Sequence, residues 1–241
     1  MTGLERAGAA LAVLATLTAG ASPSSAKPPS SVKAEQELAA LYTSHKVVSA
    51  PHSRPSRITR IPAVRPITGG QTVLPVLGHT TTKDGVRWLQ IRVPGRPNGR
   101  TGWIARRGTD RRTTSWHIIV STSRRRVLVY RHARLARSFP AVVGAPSTPT
   151  PHDRFFVEES VLMPAGKPGG PFALALSGRS NVLQEFEGGP GQIALHGVAN
   201  LGGTFGTAAS HGCVRLANSH ITWMAARIGP GVPVTIVPAG T

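Results

Sequence analysis

Only one thiol occurs in the 241-residue chain, Cys213, and its neighbours are residue types that could make it react. It lies in Ser210-His211-Gly212-Cys213-Val214-Arg215-Leu216, downstream of Ile193-Ala194-Leu195-His196-Gly197 and a Gly-rich segment. At an ordinary pKa of about 8.5 only a small fraction of a cysteine is thiolate near neutrality. An imidazole that takes the thiol proton, and later returns it to a leaving amine, removes that limit. Three readings are open on residue type alone. Cys213, His196 and His211 would offer three zinc ligands, although no second Cys accompanies them. The glycines could be plain turns and the histidines plain surface. Nucleophilic catalysis is the reading that uses every residue type present: Cys213 as nucleophile, His196 as base, His211 beside them, and the backbone N–H groups of Cys213 and Gly212 as donors to a developing oxyanion. Ser210 fits a local hydrogen-bonding role. Arg215 could pair with a substrate carboxylate or brace the loop.

Positioning these groups requires strands. Gln192 to His196 reads as one, ending at His196, with the cysteine segment as a turn beyond it. Trp116 to Val120 and Val127 to Tyr130 suit adjacent antiparallel strands around a basic turn, and Ser138–Val143, Arg154–Val161, Phe172–Leu176 and Val232–Val237 are further candidates. One helix is predicted, from Ile221, Met224, Ala225 and Ile228 at i, i+3, i+4 and i+7, behind Asn218 or Ser219 as cap and before Gly229-Pro230. Met224 is then a core residue.

Upstream, Val73 to Leu77, Arg87 to Val93 and Thr101 to Ile104 alternate around the turns Lys83-Asp84-Gly85 and Pro94 to Gly99. They predict a small barrel of three or four strands over residues 67–110, which resembles the bacterial SH3-like modules, with Trp88 and Trp103 in its core or groove. Residues 27–66 hold Pro28, Pro29, Pro51, Pro55, Pro62 and Pro66 and read as a Pro/Arg-rich linker, helical in character only from Glu35 to Tyr42. Its Arg54, Arg57, Arg60 and Arg65 form a charge run of the kind more commonly just solvated, although they could contact an acidic polymer. Residues 1–26, with Arg6 ahead of an Ala/Leu-rich run, read as a signal peptide: the run is too short to span a bilayer, and small residues follow it. Such a leader predicts export. In an oxidising compartment an unpaired thiol is inert, bridged to another molecule, or reactive.

A hydrophobic fraction of 40% allows a packed core, while 27 Gly, 21 Pro and an aromatic share of 5% favour short strands over long helices. The net charge of +18 is unevenly spread: residues 1–140 hold 23 Lys/Arg against 5 Asp/Glu, and residues 141–241 hold 5 of each. For an exported protein such a surface either serves solubility alone or meets anionic cell-wall polymers or lipid headgroups, and nucleic acid is not an expected partner.

The pairing of His196-Gly197 with Ser-His-Gly-Cys-Val-Arg-Leu resembles the signature of the L,D-transpeptidase catalytic domain, the YkuD family. The resemblance runs over residues 113–238, through Val143-Gly144, Ser147-Thr148-Pro149-Thr150-Pro151, Arg154-Phe155, the segment Phe172 to Ser177 and the final Val232 to Ile236. His152-Asp153 stands where members often carry Thr-Gly, which points to an altered loop. The resemblance implies a mainly β fold, a β-sandwich with one packed helix, set behind the SH3-like barrel. It also implies an enzyme of the cell envelope that works on peptidoglycan stem peptides through a thioester on Cys213, without cofactor or metal. His196 matches the family's base, and Gly197 the following residue, whose carbonyl orients the imidazole. Acyl transfer to an amine, which crosslinks, and transfer to water, which makes an L,D-carboxypeptidase, share that thioester and stay open here. So does a non-catalytic basic wall-binding protein. A monomer is expected.

Overall fold

In the computed structural model the described residues are 32–51, 56–185 and 188–239; the signal-peptide reading falls outside them, as does Arg54. The chain is mainly β with one helix. Strands β1 (Gln36–Leu41), β2 (His45–Val48), β3 (Arg57–Ile61), β4 (Val73–Thr81), β5 (Arg87–Arg92), β6 (Thr101–Ala105) and β7 (Thr109–Thr114) form one sheet in the order β3-β2-β6-β5-β4-β1-β7. The rest of the chain supplies β8 (Trp116–Ser121), β9 (Arg126–Arg131), β10 (Arg134–Pro140), β11 (Val143–Gly144), β12 (Asp153–Leu162), β13 (Phe172–Arg179), β14 (Gln192–His196), β15 (Ala208–Ser210), β16 (Val214–Arg215), α1 (Asn218–Ala225) and β17 (Pro233–Val237). Eight of these strands form a second sheet, β10-β9-β8-β17-β12-β13-β14-β16, and β11 pairs with β15 in a small parallel ribbon.

The upstream sheet corrects two expectations. The stretch read as a linker over residues 27–66 supplies β1, β2 and β3, so the sheet has seven strands and begins well before residue 67. Residues 36–41, expected to be helical, are a strand because β1 lies between β4 and β7 and is hydrogen-bonded to both, and tertiary pairing outweighs the helix propensity of Leu38-Ala39-Ala40-Leu41. Of the prolines that suggested a linker, Pro62 immediately follows β3, which is the sheet's edge, where a missing N–H costs little. Arg65, grouped with the solvated arginines, is 5% exposed and ion-paired to Glu158.

Helix α1 forms where the apolar spacing predicts it, and Ile221 and Met224 are fully buried against the downstream sheet. Its cap differs. Ala217 occupies the N-cap position without a side-chain bond, because the Asn218 carboxamide oxygen instead accepts from Val198 N–H at 2.9 Å. Ile228 lies beyond the helix end but shares its core.

The two halves meet along β12. Strand alternation sends neighbouring side chains to opposite faces: Phe155 and Val157 join the downstream core with Leu174, Leu195, Val214 and Ile221, whereas Phe156, fully buried, joins the upstream core with Leu41, Leu74, Ile91 and Ile104. A register irregularity between Val157 and Glu159 follows. Beside it Glu158 pairs with Arg65 at 2.6 Å and with Arg179 at 3.2 Å, and Glu159 accepts both Thr68 N–H and Thr68 hydroxyl at 2.8 Å.

Candidate active site

Parallel pairing of β14 with β16 sets Leu195 opposite Val214 and His196 opposite Arg215. Leu195, Val214 and Leu216 are buried in the core, so the alternate residues Ala194, His196, Cys213 and Arg215 face the other way. All four line a cleft of about 400 Å³, together with Gln192, Ser210, His211, Leu183, Gly191 and Met163. The fold thus gathers His196, Ser210, His211, Cys213 and Arg215 at one cleft, with Gly197 and Gly212 in the adjoining backbone. Among the described residues no three His, Cys, Asp or Glu side chains are grouped so as to hold a metal ion.

His196 Nδ1 lies 2.7 Å from the Gly197 carbonyl oxygen. A carbonyl only accepts, so Nδ1 carries the hydrogen and Nε2 of the neutral ring is the proton-accepting nitrogen. Glycine at 197 is required by space: a Cβ there would run into the Gly170 carbonyl and lie 2.7 Å from Asn218 Oδ1. Gly169 is equally constrained, since a Cβ on it would sit 2.9 Å from His196 Nδ1. The Nδ1 edge of the imidazole therefore rests on the backbone of both glycines.

Cys213 is half-buried, with Sγ 3.8 Å from the Gln192 carbonyl. Its loop is tied down by hydroxyls. Ser210 Oγ donates to the Cys213 carbonyl at 2.5 Å and accepts Gly212 N–H at 3.2 Å. Of the two amides expected to face an oxyanion, that of Gly212 is thus engaged with Ser210. Gly212 has φ +112°, a conformation that favours glycine. Thr150, missed as a site residue, accepts Gly144 N–H and donates to the Gly212 carbonyl, both at 2.8 Å, and Thr148 donates to the Ser210 carbonyl at 3.1 Å. The Thr148-Pro149-Thr150 run carried the signal only as part of a resemblance. Arg215 Nη1 donates to the Gly202 carbonyl at 2.8 Å. His211 is exposed at the cleft.

The family model "L,D-transpeptidase catalytic domain" (YkuD) matches residues 115–236, about half of the chain. The "Putative L,D-transpeptidase YkuD" of Bacillus licheniformis is 29% identical over 126 residues, which cover 52% of this chain and 68% of the relative. Among solved structures, the crystal structure of an Enterococcus faecium L,D-transpeptidase mutant is 20% identical, covers 51% of this chain and 50% of its own, and has a TM-score of 0.39. The NMR structure of the E. faecium catalytic domain acylated by ertapenem is 18% identical, covers 52% and 98%, and has a TM-score of 0.39. This chain spans half the length of the first of these two structures. By the match over residues 115–236, the chain belongs to the L,D-transpeptidase catalytic domain (YkuD) family.

Proposed function

We propose that this protein is a cysteine L,D-transpeptidase of the cell envelope that joins peptidoglycan stem peptides through a thioester on Cys213. The observation that carries the reading is that His196, at the end of β14, and the sole thiol, in the turn that leads into the neighbouring parallel strand β16, line one cleft. His196 Nε2 takes the thiol proton while Nδ1–H holds the Gly197 carbonyl. Sγ adds to the carbonyl carbon of the amide that links an L-centre to a terminal D-residue. The electron pair displaced onto oxygen is stabilised by Cys213 N–H. Collapse breaks the C–N bond, His196 returns its proton to the departing amine, and a thioester remains. A side-chain amine of a second stem then attacks the thioester, gives up a proton to His196, and restores the thiol as the new amide forms. Arg215 holds a stem carboxylate at the cleft wall, and His211 shapes the mouth. Peptidoglycan as substrate places the protein in the envelope. Among the described residues no helix is long and apolar enough to cross a membrane.

The test is incubation with tetrapeptide stems, with dimers sought by mass spectrometry. Dimers are expected from the wild type, and Cys213→Ala should lose at least about 1,000-fold in rate. Trimmed tripeptide without dimer would mean that water is the acceptor and the enzyme an L,D-carboxypeptidase. Unconsumed stems, together with no ertapenem adduct on Cys213 by intact mass, would end the enzymatic reading.

A further inference from the structure

The cleft has a second wall, and part of its support comes from outside residues 115–236. Leu183, Gly191 and Gln192 line this wall beside Ser180. Arg96, in the turn between β5 and β6 of the upstream sheet, reaches across and donates to three of its backbone carbonyls: Nη1 to Pro190 at 2.9 Å, and Nη2 to Ser180 at 2.8 Å and Leu183 at 3.0 Å. Its neighbours anchor the reach. Gly95 N–H donates to the Ser177 carbonyl at 2.9 Å. Asn98 bonds the Arg179 carbonyl and amide at 2.8 and 2.9 Å, and donates to the Asn181 side chain at 3.1 Å.

The chemistry of this contact is specific to a guanidinium. Three carbonyl oxygens converge on one group, and their partial negative charges repel unless a cation with several donors in a planar fork lies between them. Gly191 closes the arrangement: its φ is +61°, and a Cβ there would strike the Leu183 carbonyl and lie 3.1 Å from Arg96 Nη2. The next residue, Gln192, offers the carbonyl that faces Cys213 Sγ.

We propose that Arg96 is a positioning residue for the substrate cleft: by holding the carbonyls of Ser180, Leu183 and Pro190 it sets the wall against which the acyl donor lies, and so makes the upstream sheet part of the active site. This rests on the transpeptidase reading above. The test compares the wild type with Arg96→Gln and Arg96→Lys in the full chain, using tetrapeptide stems for kinetics and iodoacetamide as a small probe of Cys213. For Arg96→Gln, KM is expected to rise about tenfold with kcat within about threefold, because a displaced wall weakens binding without touching the nucleophile. Arg96→Lys, which keeps the charge but not the fork, should fall between the two. Iodoacetamide labelling of Cys213, followed against pH, should match the wild type in both variants. Unchanged KM in both would overturn the proposal. So would labelling that falls in parallel with turnover, since that would mean a general loss of fold. A wild type that consumes no stems and takes no ertapenem would instead defeat the transpeptidase reading, and the role of Arg96 with it.

Discussion

The two sides of the cleft are held in different ways. On the motif side the supports are local to the downstream half, and those around the nucleophile and base are neutral groups: Ser210 on Cys213 and Gly212, Thr150 on Gly144 and Gly212, and the Gly197 carbonyl on His196. The other side adds to its local bonds a cation from the upstream half, Arg96, and the halves are also joined by the Arg65–Glu158–Arg179 cluster. Neutral hydrogen bonds tolerate partial loss, whereas a buried charge left without its partner does not. The nucleophile's side should therefore outlast damage to the seam, and the substrate wall should not.

The largest effect is expected from Glu158, which is 4% exposed and holds two arginines at once. Burial lowers the Arg65 pKa and the Glu158 charge opposes that, which marks a desolvated cation compensated by its partner. Glu158→Ala should cost about 3–5 kcal/mol in denaturant unfolding. Replacing Arg65 and Glu158 together with methionines should recover part of that loss, since the two charges then disappear together. A single variant as stable as the wild type would show that the seam does not depend on the cluster.

Next comes a pH dependence located at the same seam. His117 in β8 is buried, contacts Thr235 Oγ1 at 2.9 Å, and lines a cleft between the halves with Lys33, Gln36, Pro75, Arg92 and Arg154. Burial, and secondarily the Arg154 charge, push its pKa down to about 4 from the ordinary 6.5. A lowered value means that the unfolded chain binds the proton more readily. The stabilisation is complete above about pH 6.5 and is lost as pH falls toward 4, a change of about 3 kcal/mol. His45, also lowered by burial, acts in the same direction. Urea midpoints measured from pH 7 to 4 should fall steeply for the wild type and less for His117→Gln. Equal slopes would show that His117 is not the group that titrates.

The same contrast governs what could be read from the sequence. The motif side was legible because its parts are contiguous: a strand that ends at His196, a turn that bears Cys213, and glycines at 197 and 212, where the structure shows no room for a side chain and a positive φ respectively. Strands β12, β13, β14 and β17 were legible for the same reason. The seam was not. Arg65 and Glu158, or Arg96 and Leu183, meet only after both sheets have formed, and no local pattern distinguishes Arg65 from solvated arginines nearby. Residues 32–66 were misread because proline density describes the ends of short strands as well as it describes a linker, and pairing partners decide between them. The charge contrast also softens once the boundary is known, because Arg124, Arg125, Arg126, Arg131, Arg134 and Arg137 belong to the downstream half.

The smallest effect is expected on the motif side itself. Thr150 is 3% exposed and makes both of its bonds to backbone, so Thr150→Val keeps the shape and removes two hydrogen bonds of 2.8 Å. The unpartnered Gly144 N–H and Gly212 carbonyl should cost about 1–3 kcal/mol of stability. Because Gly212 leads into Cys213, kcat should fall severalfold while KM stays near the wild-type value, the reverse of the pattern expected for Arg96→Gln. Thr150 and Arg96 share no hydrogen-bonding partner. If the two walls are supported independently, the double variant should be additive within about 0.5 kcal/mol in kcat/KM. A coupling well above that would mean that the loop bearing the thiol and the wall held by Arg96 move as one body, through the contact of Cys213 with the Gln192 carbonyl, and the division between a locally held nucleophile and a remotely held wall would fail.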